Sequence, residues 1–182
     1  LLVALAVGGG LAIAAVPLTH ARLDLSFVAA LPRDDSVAEG ADLLALAGLR
    51  GISAPTEILV EKPGVVTERA ALARLQSALA QQPGVARVIG PAELPTKQPR
   101  GLLLSESGNA ARYLLIYDSD PLGAQSIGYV RQLEENLPDV VARSGLSDAE
   151  VSVAGQTLFA SSVAQLTRRS IEVTVLVALV IE

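Results

Sequence analysis

The chain has 182 residues, 51% of them hydrophobic, and carries 14 basic against 19 acidic side chains for a net charge of -5. No basic tract follows a phosphate backbone, and three Tyr, two Phe and no Trp leave little to stack on bases, so nucleic acid is excluded as a partner. The absence of Cys removes thiolate chemistry, disulfides and Cys-based metal sites.

The mean hydropathy of +0.46 is high for a soluble domain, and the excess sits at the two ends. Residues 1–18 are almost wholly apolar or Gly, with Pro17 as the one helix breaker. At about 1.5 Å per residue this run nearly crosses a hydrocarbon core of roughly 30 Å. It is too long for the apolar region of a secretory signal, so a transmembrane helix is expected. Gly8, Gly9 and Gly10, with Ala4, Ala6, Ala12 and Ala14, form a small-residue face for close helix packing or simply reflect an Ala/Gly-rich composition.

Residues 19–55 read as a linker and an amphipathic helix. Ser36 and Glu39 have capping-box spacing, Val37, Ala41, Leu44 and Ala47 recur at helical intervals, and Gly48 and Gly51 close the pattern. Thr56 to Glu61 is a short strand, and Lys62-Pro63-Gly64 turns the chain. Thr67 opens a second helix with Leu72, Leu75 and Leu79 in one stripe, stopped by Pro83-Gly84. Val85 to Ile89 is a strand, and residues 92–101 form a loop.

Residues 102–105 and Ala110 to Tyr117 flank Glu106-Ser107-Gly108-Asn109, a hairpin signal. Asp120 is the expected N-cap of the next helix with Pro121 at its first position. Ile127, Val130, Leu133, Leu137 and Val140 follow at helical spacing, and Pro138 is expected to kink or restart that helix. Val151 and Val153 mark the last strand, and from Gln156 the chain is helical. Its apolar end, residues 171–181, is too short to span a bilayer but suits the opening of a second span.

The order from residue 56 to 155 is β-α-β-β-α-β, so the expected fold is α+β: a split βαβ, ferredoxin-like sheet of four strands with helices on one face. With no Met in the sequence and an apolar run at each end, the chain reads as a piece of a longer protein. Four segments result, a transmembrane helix at 1–18, linker and helix at 19–55, the βαββαβ subdomain at 56–155, and a helix leading into a second span at 156–182.

Chemistry is harder to find. His20 is the single histidine and follows the apolar run, where an interfacial polar residue is expected. No nucleophile elbow, phosphate loop or His/carboxylate metal spacing occurs, so no catalytic, cofactor or metal residue is assigned. Asp118 with Asp120, and Asp34 with Asp35, read as helix-start carboxylates rather than cation ligands. Arg168 and Glu172 have i, i+4 spacing for a helical ion pair, and Glu172 reads as an interfacial anchor.

Several stretches, taken in order, resemble the MmpL (MMPL-domain) branch of the RND transporter superfamily, of actinobacterial type. They are Leu31-Pro32-Arg33-Asp34-Asp35, Ala54-Pro55-Thr56-Glu57-Ile58-Leu59-Val60-Glu61 and Gln82-Pro83-Gly84-Val85-Ala86, then Ala110-Ala111-Arg112-Tyr113-Leu114, Asp118-Ser119-Asp120-Pro121-Leu122-Gly123-Ala124 and Val153-Ala154-Gly155-Gln156-Thr157. The resemblance implies a multi-pass plasma-membrane protein with residues 19–170 outside the cytoplasm. It implies proton-driven export of lipids or other hydrophobic molecules, with this part as the porter domain. The implied partners are membrane lipids, hydrophobic cargo and the rest of the same chain, with a homo-oligomer left open. The alternative from the residues is the ligand-binding or sensor domain of a two-span protein, or a secreted binding protein. Hydrolase activity is a more remote expectation.

Overall fold

The computed structural model describes residues 34–93 and 101–181, together with Gly9 and Pro32. The transmembrane reading of residues 1–18 and the position of His20 therefore lie outside the described residues, except that Gly9 is helical and exposed.

Helix α1 (Ser36–Leu46) is capped by Asp35, whose carboxylate accepts from Val37 N at 2.8 Å. This corrects the expected Ser36 cap by one residue, because Asp35 holds the extended backbone that an N-cap needs. No residue of α1 is buried, and Val37, Leu43 and Leu46 are exposed. A short 3-10 turn (Arg50–Ser53) leads into β1 (Thr56–Glu61).

From β1 the chain passes through a second 3-10 turn (Val65–Thr67) to α2 (Arg69–Ala80) and then β2 (Val85–Ile89). Thr67 does not open α2 as expected. It lies in the 3-10 turn, where its hydroxyl donates to Gly64 O, and the α-helix begins two residues later. After a 3-10 turn at Pro91–Glu93 and the 94–100 segment comes β3 (Ala110–Tyr117). The expected partner arm at 102–105 is reduced to one bridge, Leu104 with Ala111, and two flanking hydrogen bonds, Ser105 N to Ala110 O and Arg112 N to Leu103 O. The Ser105 hydroxyl instead accepts from Asn109 N and Ala110 N and closes the turn.

Helix α3 (Ala124–Arg143) starts after Gly123, not at Asp120. Asp120 accepts from Leu122 N at 2.9 Å and so stabilises a separate turn that spaces β3 from the helix. Pro138 neither ends nor restarts α3, which continues through it for the full 20 residues. The loss of one amide donor is tolerated because the buried residues on either side, Leu133, Leu137, Val140 and Val141, hold the helix onto the sheet. Strand β4 (Glu150–Ala154) and the 26-residue α4 (Gln156–Ile181) complete the chain. Among the described residues no helix is long and apolar enough to cross a membrane.

The four strands lie in the order β2-β3-β1-β4, and each neighbouring pair is antiparallel. The α2 connection from β1 to β2 leaves a slot that β3 fills, and the α3 connection from β3 to β4 leaves one that β1 fills. Alternation then sorts the side chains. Ile58 and Val60 of β1 and Ala111, Tyr113 and Leu115 of β3 join Leu72, Leu75 and Leu79 of α2 and Val130, Leu133 and Leu137 of α3 in one core. On the opposite face Glu57 and Arg112 pair at 2.6 Å.

Tyr113 carries a polar end into that core and donates to Leu72 O at 3.0 Å, which satisfies its hydroxyl. Burial pushes its pKa up, so it stays a neutral donor at any ordinary pH. Replacing Leu133, 1% exposed, with Asp puts a carboxylate into this layer and should cost about 3–4 kcal/mol. Urea denaturation of Leu133→Asp beside the exposed control Asn136→Asp checks this, and equal midpoints would refute the assigned helix face.

Candidate functional site

A groove of about 420 Å³ lies between α3 and the outer edge of β4. Its walls follow from two periodicities. Along α3 the side facing β4 brings Glu134, Leu137, Pro138 and Val141 into line, and along β4 the alternate residues Val151 and Val153 supply the floor. Ser147 and Ala149 close one end. Val151 and Val153 are only half-buried although they sit on the core face. The reason is their position: β4 pairs only with β1, so nothing in the sheet lies beyond it.

A second, more polar hollow of about 380 Å³ shares Glu134 with the first and runs between α3 and α4 past Arg131, Glu135, Ser161, Ser162 and Gln165. Glu134 is exposed, yet partial withdrawal from water raises its pKa, and Glu135 adds to the effect while Arg131 opposes it. The two hollows together offer apolar contact next to two carboxylates, Glu134 and Glu135, and the Arg131 guanidinium.

The connection that closes the groove is held by charge. Lys62, at the end of β1, bridges Glu68 at 2.6 Å and Asp148 at 3.0 Å, so it joins the turn ahead of α2 to the turn ahead of β4. The hydrogen bonds to Glu68 and Asp148 raise the Lys62 pKa, and the one from Lys62 lowers that of Asp148. Beside it Arg74 of α2 donates through Nε and Nη2 to Ser144 O at the end of α3. Gly145 follows at φ 86, and an added Cβ would meet Arg74 Nη2 at 2.9 Å. A side chain there would displace the guanidinium that ties the two helices.

The other pole is where the chain enters and leaves the sheet. Glu57 lies opposite Ala154, so the start of β1 and the end of β4 are neighbours. Gly155 makes the exit, at φ 137, with an added Cβ only 3.1 Å from Pro55 O. The Val153-Ala154-Gly155-Gln156-Thr157 stretch thus serves a close crossing of two chain segments, and Thr157, 1% exposed, seats the first turn of α4.

The residues singled out for chemistry are not brought together. Asp35 caps α1, Asp120 caps a turn, and the backbone amide of Asp118 donates to Gly84 O. The side chains of Arg168 and Glu172, and so their expected pairing, lie outside the described residues. Among the described residues no three His, Asp or Glu side chains are grouped as for a metal ion. The groove itself was not foreseen. Val151, Val153 and Leu137 were legible as apolar positions, but nothing in their spacing says that they share one hollow.

The architecture defines an α+β domain of four antiparallel strands whose entry and exit meet at one pole. The model of the MMPL family matches residues 29–181, and the chain belongs to that family. Its members are membrane transporters of the RND type. No curated protein matches the chain.

The Lys62 bridge has a definite pH signature. Asp148 has a folded pKa below its unfolded one, so its contribution is present above the ordinary carboxylate range and is lost as pH falls through the lowered value. Lys62 has a raised folded pKa, so its contribution is complete below the usual lysine range and is lost as pH rises through the raised value. Lys62→Met should flatten both the acid and the alkaline limbs of the stability profile. Thermal melts across pH will check this, and limbs unchanged from wild type would show that the bridge contributes nothing.

Proposed function

We propose that this chain supplies the extracytoplasmic split βαβ, ferredoxin-like porter domain of an RND/MMPL transporter, with residues 19–170 outside the cytoplasm. The observation that carries the reading is the family match over 29–181 to a domain whose two connections emerge side by side, at Thr56 and Ala154. A domain tied in this way suits insertion between two segments, and the sequences on either side are apolar, 1–18 throughout and 171–181 apart from Glu172 and Thr174.

In this reading transport is proton-driven and the cargo is a lipid or another hydrophobic molecule. The open groove beside β4 supports such a cargo, since the half-buried Val151 and Val153 beside Leu137 reward contact with apolar surface and discriminate little by shape. The domain's part is to pass or guide cargo, and its partners are membrane lipids and the rest of the chain.

Because the sequence lacks Cys, one introduced thiol reports topology without background. Asn136→Cys, on the exposed side of α3, should react with a membrane-impermeant maleimide added to intact cells producing the protein. Labelling only after lysis would refute the extracytoplasmic placement. Export of a hydrophobic fluorophore from the same cells should fall when a protonophore collapses the gradient, and indifference to the protonophore would remove the proton-driven part.

A further inference from the structure

One ionisable side chain lines the groove beside β4. Glu134 alone among the lining residues carries a charge, while Leu137, Val141, Val151 and Val153 supply apolar wall and floor. Glu134 also belongs to the polar hollow toward α4, so it stands where the apolar groove opens into the polar one. Among the described residues no ion pair engages its carboxylate. Arg131, one turn earlier on α3, acts on it electrostatically but lines only the polar hollow. Two cations near the Ser147 end are engaged elsewhere: Lys62 holds Asp148, and Arg74 holds Ser144 O.

We propose that the groove takes a cationic amphiphile, with an apolar tail along Val151 and Val153 and an ammonium head at Glu134. The proposal rests on the reading of this groove as a cargo surface and adds the chemistry of the head. The volume, about 420 Å³, lies within the range of roughly 300–1,000 Å³ usual for small-molecule sites and suits a single tail. Val151 and Val153 are half-buried because the sheet ends at β4, so a tail covers apolar surface that the domain leaves wet.

Charge then selects the head. An anionic head would meet a carboxylate and no cation among the groove's lining residues. A neutral head would withdraw Glu134 further from water with nothing to balance its charge. An ammonium balances it. Glu134 is already partly withdrawn from water, which raises its pKa, and a counter-charge placed there is screened less than on open surface.

Photocrosslinking tests this with the whole protein in phosphatidylcholine nanodiscs. The probes are an alkyl ammonium and the alkyl alcohol of the same chain length, each with a diazirine in the tail, and labelled peptides are read by mass spectrometry. The ammonium should label residues 149–153 and Leu137. Glu134→Gln should lower that labelling by about threefold and leave the alcohol unchanged. Glu135→Gln, which alters only the polar hollow, should change neither probe. Equal labelling by the ammonium in wild type and Glu134→Gln would overturn the ammonium head while leaving the groove to neutral cargo. Equal losses in Glu134→Gln and Glu135→Gln would overturn Glu134 as the partner. No labelling of the groove by either probe would overturn the site, whereas the porter reading stands or falls separately on the maleimide and protonophore measurements.

Discussion

Strand β1 is paired along both edges, with β3 on one side and β4 on the other, and the rest of the domain depends on that double pairing. Its residues alternate between an inner set with no exposure, Ile58 and Val60, and an outer set that carries Glu57 and Glu61. Both crossovers therefore place their helices on the same face, since the other face of β1 carries Glu57 and Glu61 around Leu59. The core of α2 and α3 stripes against β1 and β3 follows from this one constraint.

The same pairing also fixes where the chain comes and goes. With β1 in the middle and β4 antiparallel to it at the edge, entry at Thr56 and exit at Ala154 become neighbours. A domain can then be placed between two segments of a larger membrane protein without separating them. The crossing is tight, and Gly155 meets it with a positive φ that a side chain would strain. The opposite pole is closed by polar contacts instead, with Lys62 bridging two turns and Arg74 holding the end of α3. Those contacts position the β4 edge and its groove without adding much apolar burial.

The two features of functional interest arise where the pairing ends. Beyond β4 no strand continues the sheet, so Val151 and Val153 face a groove rather than a closed core. Along α4, Ala160 and Ala164 are buried against the domain while Phe159 and Leu166 are exposed, so an apolar stripe is left on its free side. Both surfaces are apolar and only partly used by the packing of the domain itself.

The strands Thr56–Glu61 and Val85–Ile89, and the apolar stripes of α2 and α3, were legible in the sequence because period-2 and period-3.6 burial leave direct traces in residue order. The family was legible too, since its short stretches, at β1 and β3 as well as at turns and the Gly155 crossing, follow one another in order along the chain. Local details were less so. Asp35, Ser36, Asp120 and Gly123 all suit a helix start, and the choice among them depends on where tertiary packing begins the helix. Pro138 reads as a breaker, yet burial on either side outweighs one missing hydrogen bond. What the sequence determined by itself was the set of elements, their apolar faces and the family. Only the tertiary structure decided which faces were left uncovered, because a groove or a free stripe depends on which elements are neighbours in space, and residue spacing along one segment does not encode that.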